Sequence, residues 1–472
     1  MPGIHFYFPT EQEFVRGFQR IREEHEVATE FSPAVEAAAR AAATTPIPAD
    51  RRDIRDIPLV TVDPAGSRDL DQAFHAVRSG DGYRVYYAIA DVGHFVAAGG
   101  LLDTAARSRG VTFYAPDEKE PLHPDALNQD AASLLPGADR PALVWTHDLD
   151  DHGTLVSTRV ERAVVRSRQA LSYAEVDDDL RRGKPDERYI LLREIGIARQ
   201  KKEATRGGAS LRLPAQEVVR DKGSYTLAFG ESLPVENWNA QLSLLTGMAA
   251  ARIMIDNKVG LLRTLPKPSK KTIGWLRRCS LAMDVPYPDD LAYPDWVRSL
   301  DTSIPDQAAL MTQAARAFRG AGYVGFDGEL PEQTGHGAIG ADYAHVTAPL
   351  RRLIDRFANE IVLSLSAGNR PPNWVLEALD SIPDTMIEAS RRERAFERAM
   401  VDFAESLTLA GRIGEVFAAI ATDVDGDRVT LQIRNPAIVA RLDASGVGLG
   451  DDIEVRLTDA DPEQRSVEFE LA

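Results

Sequence analysis

The chain has 472 residues, of which 44% are hydrophobic and 27% charged, and its formal net charge is −17. This composition is typical of a globular protein, and the excess of acids argues against one that coats nucleic acid through a broad basic face, although binding in a narrow basic channel stays compatible with it. The single cysteine excludes an internal disulfide, and without an apolar run near ~20 residues or a secretory pattern we expect a cytoplasmic protein with no membrane contact and no disulfide-linked partner.

Residues 1 to about 45 are predicted to be helical. The stretch EQEFVRGFQRIREEHEVA has an apolar stripe, and the Ser-Pro pair that opens SPAVEAAARAAA is a helix-start signal. The segment TTPIPADRR then interrupts the pattern as a linker would. From IPLVTVDP onward the pattern indicates strands, and AFHAVRSGDGYRVYYAIADV predicts a β-hairpin with SGDG at its turn.

Mostly helical patterns follow at residues 190–260, 305–322 and 351–408. In the first of these, NAQLSLLTGMAAARIMI is apolar nearly all round, which predicts a helix buried in the core. The tail from Gly411 changes to about five short β-rich runs separated by turn signals. A five-stranded OB barrel, a fold that commonly holds single-stranded nucleic acid, and a purely structural β-domain both fit this pattern.

The stretch VDPAGSRDLDQA concentrates three carboxylates on a turn: Asp63, Asp69 and Asp71. Asp69 and Asp71 are two positions apart, so in extended backbone their side chains point the same way, and Asp63 can close on them across the intervening turn. Oxygen ligands of this kind suit Mg²⁺ or Mn²⁺, and two such ions about 4 Å apart can flank a phosphodiester under hydrolysis. An acidic turn that only caps a helix is the alternative that the spacing leaves open.

The surroundings of this turn resemble a known family. VDPAGSRDLDQAFHA, followed by YYAIADVGHFV and by LLDTAARSRGVTFYAPDEKEPLHPDALN, resembles the RNB catalytic domain of the ribonuclease II family. Far downstream, HGAIGADYAHVTAPLRRLIDRFAN resembles a second motif of that family, in the same order along the chain. The β-rich tail lies where the family carries an OB-fold RNA-binding domain.

The resemblance implies a fold, an activity and partners. The fold would be an α/β (α+β) RNB catalytic domain at residues 51–408, after a short helical segment at 1–50 and before an all-β OB barrel at 409–472. The activity would be processive 3′-to-5′ hydrolysis of RNA from single-stranded 3′ ends, with release of nucleoside 5′-monophosphates. Magnesium is the expected cofactor, with manganese as a substitute, and we expect a monomer.

Carried over by position, the resemblance implies seven site residues. The metal-binding and catalytic residues would be Asp63, Asp69 and Asp71, and the residue that steadies the phosphate under attack would be Arg351. A guanidinium gives phosphoryl oxygens a planar fork that stays charged. The RNA-contacting residues would be Tyr114, Tyr173 and Glu397. Burial in the core is the alternative for the two tyrosines, and a solvated helix face is the alternative for Glu397.

The sequence also departs from the family. The fourth aspartate of the motif is Gln72 here, NAQLSLLTGM lacks an acidic pair that many members have, and about 50 mainly helical residues cannot hold the usual N-terminal cold-shock domains. One alternative is therefore a catalytically weak RNB-like protein that binds or chaperones RNA. Another is a calcium-binding structural loop, which leaves HVTAPLRR unexplained.

Overall fold

The computed structural model describes residues 9–183, 185–209, 215–221, 223–230, 232–301, 304–315 and 317–472. The start of the predicted N-terminal segment, residues 1–8, lies outside these ranges, as do short pieces of the regions predicted to be helical. The elements up to the end of the large sheet are α1 (Glu11–Glu24), α2 (Pro33–Ala43), β1 (Arg52–Asp53), β2 (Val60–Asp63), β3 (Gln72–Ser79), β4 (Gly82–Ala90), α3 (Val92–Phe95), α4 (Leu101–Arg109), β5 (Phe113–Tyr114), β6 (Lys119–Glu120), a π-helical turn (Leu127–Ala131), β7 (Arg140–Leu149), β8 (Leu155–Val165) and β9 (Gln169–Ser172).

The remaining elements alternate helices with short hairpins before a final group of strands. They are α5 (Tyr173–Arg181), α6 (Glu187–Thr205), β10 (Ala215–Asp221), β11 (Ser224–Gly230), α7 (Pro234–Asp256), β12 (Val259–Thr264), α8 (Lys270–Ala282), α9 (Tyr293–Ser299), α10 (Pro305–Ala315), β13 (Gly322–Asp327), β14 (Gly335–His336), β15 (Ala341–Asp342), α11 (Leu353–Ser366), α12 (Asn373–Leu376), α13 (Ser381–Leu409), β16 (Val416–Asp425), β17 (Arg428–Ile433), β18 (Ile438–Asp443), β19 (Asp452–Asp461) and β20 (Ser466–Leu471).

The two predicted N-terminal helices are present. The side chain and backbone of Thr10 form a capping box with Glu13 at the start of α1, and Ser32 caps α2 ahead of a proline in its first turn. Helix α1 buries Phe14 and Phe18 against the core. The apolar stripe therefore did predict which face of α1 packs inward.

A seven-stranded mixed sheet, in the order β1-β8-β7-β4-β3-β2-β9, carries the core on both faces. The predicted hairpin is β3–β4, closed by a two-residue turn between Ser79 and Gly82. Along β4, Val85, Tyr87 and Ile89 are buried on one face, because alternate residues of a strand share a face. Ala88 is buried on the other face, because a second apolar cluster that includes residues of α2 and α4 covers the back of the sheet.

Two helical predictions need correction. Residues 190–260 contain the antiparallel hairpin β10–β11 between α6 and α7, and in its second strand Tyr225 and Leu227 are buried at alternate positions. The helix predicted at 305–322 ends at Ala315, and β13 begins at Gly322 after Gly320 adopts φ +88°. The prediction of a buried helix was correct, since α7 buries Leu242, Leu245, Ala249, Ala250 and Met254 in the core.

The C-terminal strands form a five-stranded antiparallel barrel in the order β18-β17-β16-β19-β20. The outer strands β18 and β20 contact each other, which nearly closes the barrel. Val429, Leu431 and Ile433 alternate into its interior. The OB-type barrel predicted for the tail is therefore confirmed. Within the described ranges, no helix is long and apolar enough to cross a membrane.

Candidate active site

The acidic turn connects β2 to β3 at one end of the sheet. Asp63 is the last residue of β2, and the backbone carbonyl of Asp71 accepts a 2.9 Å hydrogen bond from the Ala90 N–H at the end of β4. The buried Ser133 hydroxyl accepts from the Leu70 N–H at 2.9 Å and donates to the Arg68 carbonyl at 2.6 Å. These bonds hold the turn from behind, so its carboxylates are presented by a fixed backbone.

The second motif meets the turn through the segment that leads into α11. The Leu350 N–H donates to Asp71 Oδ1 at 2.8 Å, and Arg351 Nε lies 3.6 Å from Asp71 Oδ2. Behind them, Asp355 accepts two 2.9 Å bonds from the guanidinium of Arg352 and one of 2.6 Å from the Ala348 N–H. Bidentate pairing of this kind fixes both partners, so Arg352 supports the segment while Arg351 reaches the acids.

Gln72 links the same two motifs. Its Nε2 donates to the backbone carbonyl of Thr347, and the side chain also borders the pocket. The residue in the place of the fourth aspartate therefore brings a hydrogen-bond donor to the downstream loop and no charge to the acids. Gln72 therefore holds the acidic turn and the downstream loop together.

Tyr114 reaches the site on the short hairpin β5–β6. The residues before it run beside the downstream motif: the Thr112 N–H donates to the Arg351 carbonyl, and the Leu353 N–H donates to the Gly110 carbonyl, both at 3.0 Å. Gly110 has φ +74°, and a Cβ there would lie 2.4 Å from the Cβ of Ala389. Tyr114 is 41% exposed, so its ring is open to a partner in the pocket.

Tyr173 arrives by parallel strand pairing. Ser172, at the end of β9, is paired with Asp63 at the end of β2, so the next residue, Tyr173, begins α5 beside the acids. Its hydroxyl accepts a 3.5 Å hydrogen bond from Asn239 Nδ2, which also donates to the Val62 carbonyl. Strand β9 is the neighbour of β2 on the side away from β3, so Tyr173 approaches the acidic turn from that side.

These elements enclose one cavity of about 620 Å³. Six of the seven predicted site residues line it, together with Gln72 and the β5–β6 turn. The six are Asp63, Asp69, Asp71, Tyr114, Tyr173 and Arg351. Glu397 does not line it. Glu397 is exposed on α13, whereas the half-buried Glu393, one turn earlier, lies within electrostatic range of Arg351 and Arg352.

Two of the acids are held in surroundings that disfavour their charge. Burial, reinforced by the charge of Asp69, raises the pKa of Asp63 to about 7. Burial raises the pKa of Asp71 to about 8, although Arg351 and the Leu350 N–H act in the opposite direction. Among the described residues, Asp63 Oδ2 is a buried oxygen with no hydrogen-bond partner. The two raised pKa values and the unpartnered oxygen together indicate that the buried carboxylates lack enough nearby positive charge to balance their own.

Sequence reasoning missed Lys119. Its Nζ lies 2.5 Å from Asp69 Oδ1, and it faces Tyr114 across the β5–β6 hairpin. In the sequence it stands within DEKEP, where a lysine among acids is typical of a solvated turn. The one signal that could have found it is its place five residues after Tyr114, within reach of whatever Tyr114 contacts.

The donor set fits a hard divalent cation. Three carboxylates border one cavity, and the unpartnered Asp63 Oδ2 is the kind of oxygen that such a cation coordinates. In the ranges that the structure describes, however, no three His, Cys, Asp or Glu side chains are grouped closely enough to hold an ion together. The ammonium of Lys119 occupies Asp69 instead.

Two family models match the chain. The model described as "RNB domain" covers residues 51–366, and the one described as "RNase II-type exonuclease C-terminal S1 domain" covers residues 415–472. The ribonuclease R of Escherichia coli strain K12 is 26% identical over 90% of this chain and 57% of its own length. The chain thus spans little more than half of that relative.

Solved structures share the fold. The structure described as "Mycoplasma genitalium RNase R in complex with ribose methylated single-stranded RNA" matches with a TM-score of 0.87 at 20% identity, over 97% of this chain and 78% of that one. A yeast pseudonuclease, Ssd1, matches with a TM-score of 0.76 at 16% identity, over 97% and 58%. The same fold therefore occurs in a protein named as a ribonuclease and in one named as a pseudonuclease.

Proposed function

The chain belongs to the RNB-domain family, and from that premise we propose that it is a metal-dependent 3′-to-5′ exoribonuclease that releases nucleoside 5′-monophosphates. The observation that carries the proposal is the joining of two distant motifs: Asp71 accepts from the Leu350 N–H and lies 3.6 Å from Arg351 Nε. Hydrolysis of a phosphodiester needs this arrangement, because the carboxylates can hold a cation while the adjacent guanidinium meets the phosphate.

In the proposed mechanism the strand enters with its 3′ end in the pocket. The ring of Tyr114 is exposed enough to stack on a terminal base, and base stacking of about 1–3 kcal/mol is tolerant of sequence. Tyr173 borders the opposite side of the acids. The two aromatics hold the terminal nucleotide so that its phosphate lies between the carboxylates and Arg351.

The reaction is displacement at phosphorus. A water oxygen bonds to the phosphorus of the terminal nucleotide, the bond from phosphorus to the 3′ oxygen of the preceding nucleotide breaks, and that oxygen gains a proton. The Arg351 guanidinium, 46% exposed, can reach non-bridging oxygens as their charge grows. The product is a nucleoside 5′-monophosphate and an RNA with a new 3′ hydroxyl.

Asp63, Asp69 and Asp71 form the carboxylate set of the proposed metal site, and its cation would be Mg²⁺ or Mn²⁺. When bound, such an ion supplies a stronger nucleophile from water at neutral pH and charge compensation at the phosphate. The chain's own contribution is to fix the acids: Ser133 ties down their turn, and the Leu350 N–H orients Asp71.

RNA labelled at its 5′ end tests the proposal directly. With magnesium we expect a ladder that shortens from the 3′ end, and with a chelator we expect intact RNA that is still bound. An RNA carrying a 3′ phosphate serves as a matched substrate with an altered end. Binding without any shortening would overturn the proposal in favour of an RNA-binding or chaperone role.

A further inference from the structure

The charges that line the pocket are the starting point. Asp69 is paired with Lys119 at 2.5 Å, and Asp71 lies 3.6 Å from Arg351, so two of the three acids of the turn each have a cation beside them. Within the described part of the chain, Asp63 has no cation at ion-pair distance, and its Oδ2 has no hydrogen-bond partner. Gln72 adds no charge, because a carboxamide is neutral, and its Nε2 donates to the Thr347 carbonyl. Two further acids line the pocket: Asp117, which is paired with Arg22, and Glu118, which is exposed.

The lysine is held in place by a buried network. Lys119 lies on β6, and the hairpin is fixed on both sides of it: Arg22 of α1 lies 2.6 Å from Asp117 Oδ1 and 2.7 Å from Glu120 Oε1. The Arg22 side chain is only 3% exposed. The backbone on each side of Lys119 is therefore fixed, and the ammonium is directed into the pocket rather than into solvent, since its side chain is 26% exposed.

From this arrangement we propose that Lys119 is a tethered cation that takes the place of a second metal ion at Asp69, so that the pocket holds one divalent cation and not two. The inference rests on the proposed function, because it concerns the same carboxylates. A second ion bound at Asp69 would have to displace the Lys119 ammonium, which already lies 2.5 Å from Asp69 Oδ1.

Lys119 acts in this account as a positioning residue, through Asp69. Its ammonium is paired with one oxygen of that carboxylate and orients it, which a hydrophobic side chain of the same length could not do. The remaining ligands for a metal ion are then Asp63, with its free buried oxygen, and Asp71.

Counting bound Mn²⁺ by electron paramagnetic resonance tests this inference. The full chain is titrated with Mn²⁺ in the absence of RNA. The number of Mn²⁺ ions in the pocket is the number bound by the chain minus the number still bound by Asp63→Asn. We expect one pocket ion in the unmodified chain and two in Lys119→Met, with the second lost again when Asp69→Asn is added. Lys119→Arg, which keeps the charge, should return the count to one.

Lys271→Met is the matched control, since it removes the same charge from helix α8, and Lys271 does not line the pocket. If Lys119→Met does not fold, as judged from its thermal transition, Lys119→Gln replaces it. Equal counts in the unmodified chain and the Lys119 variant, whether one or two, would overturn the inference. Failure of the unmodified chain to shorten RNA would contradict the proposed function alone, because the Mn²⁺ count does not depend on hydrolysis.

Discussion

The backbone N–H of Leu350 donates to Asp71 Oδ1 at 2.8 Å, across 279 positions of sequence. The bond joins the acidic turn after β2 to the segment that carries Arg351. Asp71 is 4% exposed, so the bond is protected from water and its loss would leave a buried donor unsatisfied. The carboxylate thus has one oxygen assigned to the fold and the other directed towards Arg351, and a single substitution can separate these roles.

Asp71→Asn should abolish hydrolysis while the dissociation constant for RNA stays within a few-fold. The amide keeps an oxygen for the Leu350 N–H but loses the charge that a metal ion needs. Loss of a group that only orients a metal ligand typically costs about 10–100-fold in affinity or activity, so loss of the ligand itself should cost more. Turnover and equilibrium binding are measured on the same RNA. Asp81→Asn, at the exposed β3–β4 turn, is the control. Near-normal turnover in Asp71→Asn would remove Asp71 from the metal site.

Gln72→Asp should reach its half-maximal rate at a lower magnesium concentration than the unmodified chain. The new carboxylate makes the pocket more negative, which strengthens cation binding. Because this substitution also removes the donor to the Thr347 carbonyl, Gln72→Asn, whose shorter amide loses the same contact without adding charge, is the control. A magnesium titration that is identical for Gln72→Asp and Gln72→Asn would mean that the charge at this position has no influence on the metal.

Arg22→Met should lower the free energy of unfolding by about 3–5 kcal/mol, because it leaves two acids of a buried ion network unpaired. Since the same network fixes the hairpin of Tyr114, the KM for RNA should also rise. Chemical denaturation and steady-state kinetics measure the two effects. Arg20→Met is the control on the same helix: its exposed pair with Glu24, at 3.9 Å, should contribute less than about 1 kcal/mol. Equal losses in both variants would contradict the anchoring role of Arg22.

The stability of the chain should fall in mild acid through His147. This side chain is buried between Thr246 and Thr158, at 3.1 and 2.9 Å, and burial lowers its pKa to about 3. Between pH 6.5 and 3 the unfolded chain binds the proton and the folded chain does not, so the free energy of unfolding decreases as the pH falls through this window.

For His147→Gln we expect this decrease to be smaller by about 2 kcal/mol between pH 7 and pH 5. Urea denaturation at each pH gives the slopes, and His152→Gln, at an exposed turn, is the control. His123 is buried in the same way, so part of the acid dependence will remain in the variant. Parallel pH profiles for the unmodified chain and His147→Gln would contradict the prediction.

The strand-end acids were predictable because their pattern is local. Asp69 and Asp71 have alternate spacing on a turn, and the resemblance extended this to Arg351 far downstream. Whether Glu397 faces the pocket was harder to predict, because the helix face that points towards the site depends on the rotation of the helix about its own axis. On α13 that rotation accompanies edge-to-face packing of Phe396 on Phe113 at 5.7 Å, with Glu393 on the side of the arginines.

Lys119 could not be assigned from the sequence for a related reason. Its direction depends on a hairpin of two-residue strands, and that hairpin is fixed by Arg22, 98 positions before Glu120. The hairpin β10–β11 was missed because its alternation is short and lies between two long helices, α6 and α7. Local periodicity therefore identified the long elements and the acids, but not contacts that only the packed chain creates.

Hydrolysis of RNA in water enriched in ¹⁸O is the decisive measurement for the proposed exoribonuclease, because it reports where the attacking oxygen goes. We expect nucleoside 5′-monophosphates that carry one ¹⁸O on phosphorus, released from the 3′ end by the unmodified chain and absent with Asp71→Asn. Mass spectrometry of the released nucleotides resolves the two isotopes. Products with a 2′,3′-cyclic or 3′ phosphate, or labelled product formed equally by Asp71→Asn, would contradict the proposed function.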